Sequence, residues 1–266
     1  MISALSSKFY HARAFVLGAI AITFMGLIAY REGLRWYAIW QTEMVSIKGG
    51  ITIIGTDESE AYEEEKPKWL ARVADFQIQK FEVSNRLYRL CVQAGHCEKP
   101  VDPSRLFDDK LVNHPVVEVT AFHAANYCDW LMMRLPTELE WERAARGLNG
   151  NKWTWGDKTP IAKFANVNSE KTQQPIETID SYPQGKSQEG VYNLIGNVAE
   201  WTASYFQFYK NYNQQLVWKN PKEQLKSEYP LTVRGKSWET SIKRVTERTQ
   251  TPTSYHGLET GIRCVK

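Results

Sequence analysis

The sequence has little of three features that often give away a function. Net charge is the first: 33 Lys and Arg against 30 Asp and Glu leave a formal charge of +3 over 266 residues. With no basic block that could track phosphates, nucleic acid is not an expected partner. Cysteine is the second. There are 4, at Cys91, Cys97, Cys128 and Cys264, and none has the close paired spacing of a zinc site. Histidine is the third: His11, His96, His114, His123 and His256 show no ligand spacing either. No internal repeat or low-complexity tract divides the chain, and nothing in its organisation marks a second globular domain.

What is present is an ordinary globular composition, 42% hydrophobic and 24% charged, with 10 Trp and 13 Tyr. That aromatic load suits a compact, loop-rich fold whose large rings anchor irregular segments. One long apolar run exists, AFVLGAIAITFMGLIAY between Arg13 and Arg31, near the lower limit of about 17 residues for a spanning helix. Tyr10, Tyr30, Trp36 and Tyr37 flank it as an interfacial belt would. A cleaved signal peptide would want small residues just past the run, and Ile28-Ala29-Tyr30-Arg31 does not offer them cleanly. The expected organisation is a cytoplasmic segment over 1–13, a transmembrane anchor over 14–35 and an extracytoplasmic domain over 43–266. Lys8 and Arg13 before the run balance Arg31 and Arg35 after it, so charge alone does not choose the side.

Beyond the anchor, MVSI and ITIIG flank Gly49-Gly50 and read as a hairpin. DESEAYEEEK reads as a solvated loop, and Phe76 to Phe81 alternates as a half-buried strand. Helices are expected from the cap Ser84, from Thr120 (with Phe122, Ala125, Cys128, Trp130 and Leu131 inward) and from the capping box Thr137 with Glu140. In the third helix Trp141, Ala144 and Ala145 should be buried, with Glu140, Glu142, Arg143 and Arg146 pairing on the flanks. After Gly147 only short strands and loops are expected.

Several segments in order resemble the formylglycine-generating enzyme, or sulfatase-modifying factor, family: MVSIKGG, FEVSNRLYRLCVQAG, HPVVEVTAFHAANYCDWL, RLPTELEWERAARG, WTWGD, GVYNLIGNVAEWT, VRGKSW and GIRCV. The resemblance covers nearly everything after the anchor. It implies an α+β fold: an irregular formylglycine-generating-enzyme-type (C-type-lectin-like) domain, here with one N-terminal transmembrane helix. It also implies a disulfide between Cys128 and Cys264, leaving Cys91 to pair with Cys97. Two such bridges imply an oxidising compartment, periplasmic or otherwise extracytoplasmic.

The resemblance further implies a structural calcium held by Asn193, Gly196, Val198 and Glu200, with Asn166 as a donor to a second site. Hard oxygen donors on a tight turn suit calcium; the alternative is that Asn193 caps a turn and Glu200 pairs with an arginine. The family's oxidase activity, by contrast, needs two cysteines just after RGGSW, whose thiolates bind copper. Here that segment reads RGKSWETSIKRVTERTQTP, with Lys236 in place of the second Gly and no cysteine over 237–252. No copper centre and no formylglycine formation are therefore expected, nor the extra helical domain of the family's iron-dependent sulfoxide synthases. Two functions remain: a non-catalytic binding or assembly module at the membrane, or a periplasmic oxidoreductase or maturation enzyme of the same family with an unidentified active site. For the first, the insertion over 206–229 supplies a candidate surface for a protein partner, with Phe206, Phe208, Tyr209, Tyr212 and Trp218.

Overall fold

The computed structural model of the chain describes residues 2–156, 163–168, 176–218, 229–242 and 244–266, with side chains of the first helix described from Ile20 onward. That helix, α1 (Ile2–Gln41), is continuous into the domain. Ala38 is fully buried in the larger apolar cluster, and Leu34 and Ile39 pack against it. Among the described residues, no helix is long and apolar enough to cross a membrane.

Four strands follow: β1 (Met44–Ile47), β2 (Gly50–Ile54), β3 (Trp69–Val73) and β4 (Phe76–Gln79). The expected β1–β2 hairpin does not form. β1 pairs antiparallel with β4, Met44 opposite Gln79, and β2 pairs with β3, Gly50 opposite Val73. Gly49 is the reason the chain crosses over rather than turning back. A Cβ there would lie 2.4 Å from the Val73 carbonyl oxygen, so the glycine lets two backbones touch. Asp75 fixes the crossing by accepting from the Gly49 amide at 2.9 Å.

The caps behave as local chemistry dictates. Ser84 accepts from the Leu87 amide ahead of α2 (Asn85–Gln93), and Thr120 from the His123 amide ahead of α4 (Ala121–Trp130). Thr137 and Glu140 close the expected capping box on α5 (Glu138–Arg146). A short α3 (Ser104–Phe107) was not foreseen. Phe122 is a correction: it is 37% exposed and meets the Trp218 ring edge-on instead of entering the core. α5 is a larger one, because all nine of its residues are buried and Glu138 and Glu142 form their ion pairs inside the protein.

The C-terminal half builds one four-stranded sheet from β5 (Ala199–Tyr205), β6 (Leu231–Arg234), β7 (Arg248–Thr251) and β8 (Thr260–Gly261), in the order β7-β6-β5-β8. Val265 bridges both Ile78 and Arg134, so the last residues tie this half to β4 and to the approach to α5. Disulfides join Cys91 to Cys97 and Cys128 to Cys264.

Candidate functional site

The segment expected to hold calcium follows a tight path. Asn193 (φ 53°), Gly196 (φ 75°) and Asn197 (φ 59°) all take left-handed backbone, which Gly and Asn tolerate best. A Cβ on Gly196 would come within 2.2 Å of the Asn166 carbonyl oxygen. This path turns two amides onto Glu82, in the link between β4 and α2. Asn193 Nδ2 donates to Glu82 Oε2 at 2.8 Å, and Asn197 Nδ2 to Glu82 Oε1 at 3.1 Å. Asn166 Nδ2 donates in turn to Asn197 Oδ1 at 3.3 Å.

Burial pushes the Glu82 carboxyl up to about 8, against the pull of Arg263 and with a further push from the Glu200 charge. Glu82 also lines a polar cavity of about 320 Å³ between the end of α1 and the start of α2, shared with Gln79, Ser84, Arg86, Asn113 and Asp180.

Glu200, on β5, has different partners. Its Oε1 takes Arg263 Nη2 at 2.7 Å, its Oε2 takes Trp141 Nε1 at 2.7 Å, and Arg263 Nε lies 3.0 Å from both. Val198 belongs to a small apolar cluster with Val117 and Ile176. The carboxylate counted as a calcium donor is therefore already neutralised by a guanidinium, while Asn193 spends its N–H groups on Glu82 and the Ile179 carbonyl. Of the expected calcium donors, Glu200 is paired with an arginine in this arrangement, as the alternative reading had it. Among the described residues, no group of three or more His, Cys, Asp or Glu side chains could hold a metal ion.

The segment after RGKSW is occupied by structural bonds. Arg234 reaches Glu138 and Glu142 at 2.7 Å each, over the Trp141 ring. Lys236 stands in left-handed backbone at φ 56° and its ammonium donates to Thr249 Oγ1 at 3.1 Å. Ser237 and Thr240 close a tight turn on each other. Arg244 grips Glu65 at 2.8 and 2.9 Å, with Thr246 on the same carboxylate. Burial works to raise Glu65, but these bonds outweigh it and hold its carboxyl below the usual range. Glu65 corrects the reading of DESEAYEEEK as solvated throughout, since its side chain is sealed from water. Arg248 closes the network on Glu138. Lys243 lies outside the described residues.

Two of the five rings of the candidate aromatic surface are core. Tyr209 is buried, packed against Trp69, Tyr212 and Arg248, with its hydroxyl on Glu142 at 3.1 Å. Trp218 is buried against Phe122, and Phe206 and Tyr212 are half-buried. Only Phe208, of the five rings, is exposed, at 55%. Residues 219–228 of the insertion lie outside the described residues. Sequence reasoning missed Glu82, Asn197, Glu65 and Glu138. The Asn-rich turn around Gly196 was the one available signal for the first two.

The family model described as sulfatase-modifying factor enzyme 1-like domain matches residues 39–266. The chain is 29% identical over 228 residues to inactive C-alpha-formylglycine-generating enzyme 2 of Bos taurus, covering 65% of this chain and 75% of that protein. It is 30% identical over 203 residues to the uncharacterized protein YfmG of Bacillus subtilis, covering 60% of this chain and 41% of that protein. With hercynine oxygenase of Mycolicibacterium thermoresistibile the match is 29% over 180 residues, 56% and 40% of the two chains. The chain thus spans well under two thirds of the last two relatives. In fold it is similar to PvdO from Pseudomonas aeruginosa (TM-score 0.69, 22% identity, 84% and 94% of the chains covered). It is similar also to Treponema denticola variable protein 1 (0.66, 19%, 84% and 94%).

Proposed function

The chain belongs to the sulfatase-modifying factor enzyme 1-like family, and from that premise we propose that it is a membrane-anchored, extracytoplasmic binding or assembly module without formylglycine-generating activity. The observation that supports this reading is the content of 237–252. Where an oxidase of this family would carry two thiolates for copper, this chain carries Thr240, Arg244, Thr246 and Arg248 bonded to their own neighbours. Hydroxyls and guanidiniums are hard or cationic and hold a soft cuprous ion poorly. Both disulfides support an oxidising compartment, and the apolar run ending at Tyr30 supports an anchor. The partner in this reading is a protein at the same membrane. Phe208 is the exposed ring of the candidate surface among the described residues.

The test is direct. The purified full chain, with and without copper, is incubated aerobically with a sulfatase-type cysteine peptide, and the peptide is examined by mass spectrometry for the aldehyde. No product is expected; copper-dependent product would overturn the non-catalytic reading. A reporter that works only in the cytoplasm, fused after Lys266, should be silent, and activity there would overturn the orientation.

A further inference from the structure

We propose that α1 is a rigid stalk which seats the domain on the lipid headgroup layer by one defined edge: the loop closed by Cys91–Cys97, with Gly95 and His96, together with Met132 after α4. The proposal rests on the anchor reading above and goes beyond it by fixing which face of the domain meets the membrane. Its basis is the absence of any linker. α1 is one 40-residue helix, about 60 Å long at 1.5 Å per residue. Only Thr42 and Glu43 separate it from β1.

The two ends of the described helix have opposite environments. From Ile20 to Tyr30 the large apolar side chains stand uncovered: Ile22 is 68% exposed and Phe24 63%. Nothing on the protein lies within 4 Å of a Cβ built on Gly26. Such a bare apolar cylinder is costly in water and suited to lipid. From Arg31 onward the helix is part of the domain. The Arg31 guanidinium lies against Gly95, within 3.2 Å of a Cβ placed there. Arg35 Nη2 lies 4.0 Å from Met132 Sδ and 3.1 Å from Glu32. Ala38 then enters the core.

Axial distance sets the depth of this edge. Arg31 directly follows Tyr30, the end of the uncharged run, and Arg35 stands one turn further, about 6 Å along the axis. The headgroup zone on each side of a bilayer is about 5–7 Å thick. The residues touching Arg31 and Arg35 therefore lie at headgroup depth. Gly95 takes left-handed backbone (φ 69°) and Met132 does likewise (φ 59°), so each marks a tight turn presented at that level. His96 and Asp129 lie 3.9 Å apart beside them. Tyr30, exposed where the apolar run ends, adds a ring of the kind that interfaces favour. The Cys91–Cys97 bridge holds the end of α2 in shape where Arg31 packs on it.

The experiment uses the full chain, both disulfides intact, reconstituted in phosphatidylcholine vesicles containing a headgroup-nitroxide lipid. A fluorophore is attached through an azide-bearing amino acid at His96, at Met132 or at Glu63, whose side chain is 84% exposed beside Phe208 and Lys210. Quenching should be several-fold stronger at His96 and Met132 than at Glu63. A flexible Gly-Ser insertion between Tyr30 and Arg31, which leaves the docked turns intact, should abolish that difference. Equal quenching at all sites of the uninserted chain, with the protein retained through an alkaline carbonate wash, would overturn the stalk alone. Release of the chain by that wash would overturn the anchor and the stalk together.

Discussion

Arg263 holds Glu200 through contacts of 2.7 to 3.0 Å, and neither side chain is open to solvent. Removing one partner of such a pair leaves a buried charge without its complement. Glu200→Gln is expected to destabilise the domain by about 3–5 kcal/mol, read as a shift in the denaturant midpoint. Because this carboxylate is already neutralised, adding calcium or a chelator should leave the thermal midpoint of the wild-type chain unchanged. A calcium-dependent rise that Glu200→Gln removes would place calcium at this carboxylate.

Glu82 gives a pH dependence of unusual sign. Its folded value, about 8, lies above the ordinary 4.5. Below 4.5 both folded and unfolded chains carry the proton and the group costs nothing. Between 4.5 and about 8 the unfolded chain releases its proton while the folded chain keeps it, so stability falls as pH rises. Above about 8 the loss is complete. Glu82→Gln should therefore gain on the wild type progressively across that window, measured by urea denaturation at its two ends. Glu140 and Glu142, held low by Arg134 and by Arg234 despite burial, act oppositely. Their contribution is present above 4.5 and lost as pH falls through their folded values.

The two disulfides should differ in worth. The loop closed by Cys128–Cys264 has a separation of 136 residues and that closed by Cys91–Cys97 a separation of 6. In the chain-entropy model these correspond to about 5 and about 2 kcal/mol. Replacing each pair by serine and comparing denaturant midpoints should give the larger loss for Cys128–Cys264. An equal loss would show that unfolded-state entropy is not the main source.

Lys236 stands where the motif's second glycine would be and keeps a glycine's backbone, φ 56°. A lysine in that region costs about 1–2 kcal/mol. Its ammonium recovers little from a hydrogen bond to Thr249 at the surface. Lys236→Gly should raise stability by about 1 kcal/mol. A fall on that substitution would mean that the Thr249 contact outweighs the strain.

What could be read from the sequence was short-range. Ser84, Thr120 and the Thr137–Glu140 box announce helix starts because each cap bonds an amide only three residues on. Cys128 and Cys264 were legible for a different reason, since their motif contexts resemble a known family. The missing cysteines of 237–252 were legible too, because a residue type cannot be supplied by folding.

Tertiary structure decided the distant partners that no family motif marks. Gly49-Gly50 carries the composition of a hairpin turn, yet whether it turns or crosses depends on Val73 and Asp75. Glu65 looks like one more residue of an acidic run until Arg244, 179 positions away, encloses it. Glu200 has the chemistry of a calcium ligand and of an ion-pair partner alike, and its guanidinium partner is supplied only by the return of Arg263 beside β5. Tyr209 and Trp218 read as a sticky surface because an aromatic ring serves an interface or a core equally well. The physical reason is common to all four. A side chain's intrinsic chemistry is local, but its desolvation and its countercharge are set by whichever distant residues the fold brings against it.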